Sequence, residues 1–197
     1  NVGIGLSKKV RLTYHEEIGF ACSSGLNLTH KFNVAGIFDP DVTGIGHQPY
    51  GHDQWATLYK HYFVNSADVT VTFRNIATNN IPHNVYIVLD KDGVVSTSHD
   101  TRMERTKGVG AATLLANSNN KQTVRLRYDA KKFHDIKSVK DEHQLRALFS
   151  ADPVKPAYLV VGMQPVDSVS SSAAIVYAAV TINYNVTLID PIPFSGS

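Results

Sequence analysis

The strongest constraint on the fold is an alternation of apolar and polar residues that recurs along the whole chain. Near the end of the chain, Ile182, Tyr184, Val186 and Leu188 alternate with Thr and Asn. Successive side chains of a β-strand point to opposite sides of the sheet, so this pattern predicts a strand with one buried and one exposed face. The same pattern occurs at residues 9–15, 28–34, 69–74 and 124–128.

Two further segments, residues 85–89 and 158–163, are apolar without alternation and predict strands that are covered on both faces. Asp92-Gly93 follows the first of them and predicts a tight turn, with Val94-Val95 as the returning segment. Residues 111–115 fit either a short strand or a helical turn. Together these signals predict an all-β domain of about eight strands, arranged as a two-sheet jelly roll rather than a meander barrel.

Two short helices are predicted between the strands. The first starts at residue 52 or 53 and carries apolar residues at the helical spacing i, i+3, i+4 and i+7. Its apolar positions are Trp55, Leu58, Tyr59 and Tyr62. The second starts at Ser138, a suitable N-cap, and ends before Pro153. Its apolar positions are Leu145, Leu148 and Phe149.

Length and composition favour one globular domain. The chain has 197 residues, of which 43% are hydrophobic and 18% are charged. Cys22 is the one cysteine, so an intrachain disulfide is excluded. No apolar run approaches the roughly 20 residues that span a bilayer, and membrane insertion is not expected. The formal net charge of +2 does not by itself indicate a nucleic-acid partner.

The segment from Ile37 to Thr72 carries the most specific signal. A strand ends at Asp39-Pro40-Asp41, and a Gly/Pro-rich loop leads through Gly51 to the first helix and the next strand. This order resembles the coat proteins of small icosahedral viruses, and most of all the capsid proteins of circular single-stranded DNA viruses, the circovirus-like group. In that group a similar run joins the third and fourth strands of a jelly roll. Weaker resemblance extends to the strands at 10–14 and 181–188.

The resemblance implies an eight-stranded viral jelly roll of two four-stranded antiparallel sheets, with two short helices in connecting loops. It also implies one capsid domain over residues 1–197, with a basic arm expected upstream of residue 1. The expected function is structural, with no enzymatic activity: identical subunits assemble into an icosahedral shell around a viral genome, expected to be single-stranded DNA. The expected location is the virion, after assembly inside the host cell, with the nucleus as one candidate compartment. The expected contact or outer-surface loops are 39–51, 92–107 and 164–172.

Two alternatives stay open. One is the shell domain of a small RNA virus coat protein. The other is a non-viral jelly roll that binds carbohydrate or, as in cupin-type enzymes, a metal. A cupin needs a His-x-His pair, which this sequence lacks, and a lectin often shows clustered exposed aromatics or a carboxylate-rich calcium loop.

A basic surface follows from strand order. In a viral jelly roll, as the resemblance implies, the first, third, sixth and eighth strands share one sheet. The outward positions of those strands are then polar and net basic. The candidate nucleic-acid contacts are Lys8, Lys9, Arg11, Arg74, Arg125 and Arg127. Phosphate contacts need Lys and Arg without fixed spacing, so sequence-independent binding is expected. The alternative is a solvated sheet face or a subunit contact.

Metal binding is a weaker prediction. Asp39 and Asp41 offer two hard oxygen ligands on one loop, which suit calcium at a subunit edge. The alternative is a structural turn, because Asp-Pro-Asp is also good turn chemistry. The nine histidines show no zinc-ligand spacing, and no other cofactor is predicted.

Overall fold

The computed structural model describes residues 5–22, 27–76, 78–105, 108–167 and 174–193. These residues form nine β-strands, three short α-helices and one 3₁₀ turn. The strands are β1 (Ser7–Ala21), β2 (Leu28–Asn33), β3 (Tyr59–Arg74), β4 (His83–Asp90), β5 (Val109–Leu114), β6 (Lys121–Asp129), β7 (Ala147–Leu148), β8 (Tyr158–Pro165) and β9 (Ile175–Pro191). The helices are α1 (His52–Ala56), α2 (His99–Met103) and α3 (Ala130–His134), and the 3₁₀ turn is His143–Leu145.

The strands form two antiparallel sheets. The first sheet has the order β1-β9-β3-β6, with the two-residue β7 pairing β3 at its side. The second has the order β2-β8-β4-β5. The prediction of an all-β jelly roll with the first, third, sixth and last strands in one sheet is therefore confirmed. The predicted count of eight strands becomes nine because β7 adds a short strand to the first sheet, which has five strands rather than four.

The core lies between the two sheets, as the alternation predicts. Along β9, every second residue from Val176 to Leu188 is buried, and the residues between them form the outer face of the first sheet. Tyr14, Tyr62 and Tyr184 are also buried there. The Tyr184 hydroxyl donates to the carbonyl of Asn33 at 2.6 Å, which ties β9 to the second sheet.

The second sheet is covered on its outer face as well. Residues 91–105, named the strap below, include α2 and run over β4 and β8. Beneath the strap a small apolar cluster forms from Tyr86, Val88 and Val160, with Val95 and Val109 against it. This double covering explains the continuously apolar sequences of β4 and β8.

Three predicted local elements are wrong. The first helix stops at Ala56 and β3 already begins at Tyr59, so Tyr59 and Tyr62 lie on a strand. The second predicted helix is replaced by the 3₁₀ turn and by β7, whose residues pair with His61 and Tyr62. Residues 94 and 95 form no strand, and the returning strand is β5, which includes most of the ambiguous segment 111–115.

The connecting loops lie at two opposite ends of the sandwich. Segments 34–51 and 130–157 share one end, where Val34 N donates to the carbonyl of Ala157 at 2.9 Å, and the strap leaves β4 at the same end, where Asp90 pairs with Tyr158. Residues 75–76, 78–82 and 115–120 share the other end, where Asn117 N donates to Asn79 O at 2.6 Å. Of the predicted contact loops, 39–51 lies at the first end, whereas the described part of 92–107 belongs to the strap, which starts there and runs over the outer face of the second sheet. Residues 164 and 165 belong to β8, and 168–172 fall outside the described residues.

Each α-helix has five residues, and none in the described ranges is long and apolar enough to cross a membrane.

Candidate nucleic-acid interface

The outward side of the first sheet, named the basic face below, carries most of the predicted cations. Strand register places Arg125 beside Thr70 and Thr181, and Arg127 beside Asp68 and Asn183. Six cations and three carboxylates occupy outward positions among the described residues of β1, β9, β3 and β6, which gives a local charge of +3. These are Lys9, Arg11, Arg74, Lys121, Arg125 and Arg127, with Glu17, Asp68 and Asp129.

Two of the predicted contacts are already neutralised by neighbours on the same face. Arg127 Nη1 donates to Asp68 Oδ1 at 2.7 Å, and its Nη2 donates to the Ser66 hydroxyl at 3.3 Å. Arg74 forms an ion pair with Glu17. Since both pairs are largely exposed, their contribution to stability is small. They do, however, reduce the charge that Arg74 and Arg127 can offer to a phosphate.

Three other predicted contacts remain uncompensated. Lys9, Arg11 and Arg125 are exposed, and none forms an ion pair with another described residue. Lys9 and Arg11 line a shallow open cavity of about 370 Å³ together with Asn65 and Asn185. These cations are the ones best placed to release counterions when a phosphate backbone approaches.

A β-bulge shapes this corner of the basic face. The register between β3 and β9 shifts between Val64 and Ser66, so Asn65 is the extra residue. Asn65 Nδ2 donates to the Thr187 hydroxyl at 2.7 Å, and Asn185 Nδ2 donates to the Ser66 hydroxyl at 3.1 Å. A bulge increases the local twist and redirects side chains, which fixes the amide groups beside Lys9 and Arg11.

The neutral side chains of the basic face bond mostly to each other. Thr13 donates to Asn183 at 2.8 Å, and the hydroxyls of Thr72 and Thr123 are 3.0 Å apart. These groups are engaged across strands, so the cations are left as the main binding groups. A surface of this composition suits contact with phosphate charge rather than readout of base sequence.

Lys8 and Lys121 differ from the prediction. Lys8 is exposed, but strand alternation places it opposite Leu188 on the inward side of β1, away from Lys9 and Arg11. Lys121 pairs with Arg74 on the basic face and was not predicted as a contact. The carboxylates Glu17 and Asp68 were also missed, although both continue the alternation of the predicted strands.

The two candidate calcium ligands have different surroundings in the structure. Asp41 is buried, and its Oδ1 is 2.9 Å from His30 Nε2 and accepts from both the backbone N–H and the hydroxyl of Thr43. The bonds to Thr43 stabilise a turn, which is the structural alternative to calcium binding. Asp39 instead lines a small cavity that includes Asp152. Burial, and then the neighbouring Asp41, raise the pKa of Asp39.

In the part of the chain that the structure describes, no group of three His, Cys, Asp or Glu side chains is arranged to hold a metal ion. Calcium binding therefore stays a prediction from the sequence. Cys22 is buried, and burial raises the pKa of its thiol, which keeps it protonated and unreactive.

The fold is similar to solved structures of viruses. The structure of tobacco necrosis virus matches with a TM-score of 0.50 and 12% sequence identity, over 96% of this chain and 85% of that chain. The cryo-EM structure of Mud crab tombus-like virus matches with a TM-score of 0.49 and 10% identity, over 98% and 86% of the two chains. Two structures of turnip yellow mosaic virus each give a TM-score of 0.47, with 12% and 11% identity, over 100% and 99% of this chain and 88% and 87% of the other chain.

No protein-family model matches the sequence, and a comparison with curated proteins finds no match. At identities this low, the likeness to tobacco necrosis virus establishes the fold, which is a viral jelly roll.

Proposed function

We propose that this chain is the coat protein subunit of a small icosahedral virus and that its basic face contacts the packaged genome. The main support for this proposal is the viral jelly-roll fold, which spans nearly the whole chain. The role is structural rather than enzymatic, and the partners are identical subunits and nucleic acid. Subunits whose contacts close by rotation form a shell, whereas contacts that do not close give filaments.

An RNA genome is now the favoured alternative. The Ile37–Thr72 motif predicts a circular single-stranded DNA virus, but the likeness to tobacco necrosis virus favours the RNA-virus alternative. The comparisons give no support to assembly in the nucleus, and we propose no compartment for assembly. Location in the virion follows from the proposed function.

The first experiment is electron microscopy of the purified full chain, with absorbance read at the nucleic-acid and protein maxima. Closed particles that contain nucleic acid are expected. Digestion of the extracted nucleic acid with RNase or DNase then identifies the genome type. Small discrete species at every salt and pH tested would contradict the coat protein proposal and would favour the carbohydrate-binding alternative.

Genome contact is tested by the double variant Lys9→Gln/Arg11→Gln. Its control is Lys91→Gln/Lys140→Gln, which removes the same charge from exposed residues outside the basic face. Each phosphate contact to a single strand adds about 0.7 to the magnitude of the slope of log affinity against log salt. We therefore expect the slope of Lys9→Gln/Arg11→Gln to be smaller in magnitude by about 1.4. The same variant should also package less nucleic acid per particle. Equal slopes and equal packaging in the two variants would contradict a role for the basic face.

A further inference from the structure

A cavity of about 330 Å³ opens at the edge of β6, beside the basic face. Three separate parts of the chain build its walls: β6, α3, and the end of the strap together with the end of β4. The residues that line the cavity include Leu89, Arg105, Arg127, Asp129, Lys132 and Phe133. The volume is at the lower end of the about 300–1,000 Å³ range of small-molecule sites.

The cavity is cationic on one side. Arg105 donates from Nη1 and Nη2 to Asp90 Oδ2 at 3.1 and 3.2 Å, and from Nη2 to the carbonyl of Leu89 at 3.1 Å. Arg127 is held by Asp68 and Ser66. A guanidinium has five N–H donors, so both side chains are fixed in place and still have donors to offer.

Lys132 is the cation without a competing partner. Within the described ranges its ammonium group forms no ion pair. The one carboxylate in the lining, Asp129, accepts the backbone N–H of Lys132 at 3.2 Å as the N-cap of α3. This capping bond fixes the first turn of α3 and thereby the position of Lys132.

The other side of the cavity is apolar and aromatic. Phe133 is half-buried and packs against Tyr128 with ring centroids 5.5 Å apart. Next to it, His134 is buried and burial lowers its pKa to about 4, so it adds no charge near neutral pH. Phe133 and Leu89 therefore give the cavity a neutral wall against which a planar ring can lie.

This combination points to a particular class of ligand. Single-stranded nucleic acids bind where bases stack on aromatic side chains and basic groups follow the backbone. Arg127 also belongs to the basic face, so a strand lying on that face reaches the cavity without a gap. We propose that the cavity binds one nucleotide of a single strand, with its base against Phe133 and its phosphate held by Lys132, Arg105 and Arg127.

The inference rests on the proposed genome contact, and it adds a defined nucleotide site to a surface that otherwise recognises charge alone. The test measures the affinity of a fluorescent single-stranded pentanucleotide for the full chain by anisotropy. The variants are Lys132→Gln and Phe133→Leu. The matched control is Lys131→Gln, which removes the same charge from the same helix at a residue that does not line the cavity.

We expect Lys132→Gln and Phe133→Leu each to weaken binding by about fivefold or more. Phe133→Leu removes the aromatic surface on which the base stacks, and Lys132→Gln removes a cation that holds the phosphate. Lys131→Gln should weaken it by less than about twofold, the effect of a distant exposed charge. A nucleoside monophosphate should compete for the site better than inorganic phosphate does. Urea unfolding of all variants shows whether they are folded. If Phe133→Leu does not fold, the affinity of Lys132→Gln and the competition by the nucleoside monophosphate test the proposal.

Three outcomes would overturn the proposal, and each has a different consequence for the proposed genome contact. If the pentanucleotide binds but Lys132→Gln and Lys131→Gln behave alike, the cavity is not the site, while the basic face stays in place. If inorganic phosphate competes as well as the nucleotide, the cavity is a simple anion site without base recognition. If the unmodified protein does not bind the strand even at low salt, the proposed genome contact fails together with the cavity.

Discussion

His134 is a buried histidine whose surroundings keep its imidazole neutral. It lies at the end of α3, 9% exposed, with its Nε2 3.1 Å from the Tyr128 hydroxyl and the Phe133 ring packed edge-on. Burial lowers its pKa to about 4, with Lys155 and Lys91 acting in the same direction. In the unfolded chain a histidine has a pKa of about 6.5.

This difference predicts a loss of stability in mild acid. Between pH 6.5 and 4 the unfolded chain binds a proton that the folded chain does not, so the free energy of unfolding falls as pH falls. The contribution is fully present above pH 6.5 and amounts to at most about 3 kcal/mol. Urea unfolding at pH 7 and 4.5 should show a smaller pH effect in His134→Gln than in the unmodified protein.

His143→Gln is the control for that measurement, because His143 is exposed. The pKa of the buried His83 is also lowered by burial, so part of the pH effect should persist in His134→Gln. The same pH effect in all three proteins would show that His134 does not contribute.

Some residues of the candidate site could be predicted from the sequence, and others could not. The alternation of β1 continues past His15 to Glu17, and that of β3 extends back to Asp68, so the partners of Arg74 and Arg127 could have been predicted from strand periodicity. Lys132 and Phe133 could not, because no local pattern links α3 to the end of the strap. Their approach to Arg105 depends on how two long connections pack.

Among the elements, the strap depends on one buried cation. Arg102 is 1% exposed, and its guanidinium lies 4.0 Å from the centre of the Tyr86 ring. Its Nη1 donates to the carbonyl of Ser96 at 2.6 Å, and its Nη2 donates to Gln164 on β8. A cation over an aromatic face is favourable, and the hydrogen bonds fix α2 to the sheet beneath it.

We expect Arg102→Ala to loosen the strap and to lower the free energy of unfolding by about 2–4 kcal/mol, because it removes both packing and buried hydrogen bonds. Hydrogen exchange of residues 91–105 should accelerate more than exchange in β9. Arg102→Met keeps much of the apolar stem and should cost less. Unchanged exchange of the strap in Arg102→Ala would mean that the apolar contacts alone hold it.

The elements also show where local patterns fail. Trp55, Leu58, Tyr59 and Tyr62 fit a helix by spacing, yet Tyr59 and Tyr62 pair with Pro191 and Leu188 of β9. The end of β9 is more than 120 residues away in sequence, so no local signal marks this pairing. Tertiary strand pairing outweighs the weak preference of a short segment for helix, and the same holds where β7 replaces the predicted second helix.

For the whole molecule, the last strand decides whether the sandwich closes. All fifteen residues of β1 pair with β9, and β3 pairs with its other edge. Without β9, β1 has no partner among the described strands, and the buried side chains from Val176 to Leu188 leave the core. Pairing between strands that are far apart in sequence is also slow to form, so we expect the pairing of β1 with β9 to be a late step of folding.

A chain that ends after residue 174 is therefore expected to lack a cooperative urea transition and to expose apolar surface. A chain that ends after residue 193 keeps every described residue of β9 and should unfold like the full protein. The measurements are urea unfolding by circular dichroism and binding of the dye ANS. A cooperative transition in the shorter chain would show that β1 and β3 hold the sheet without β9.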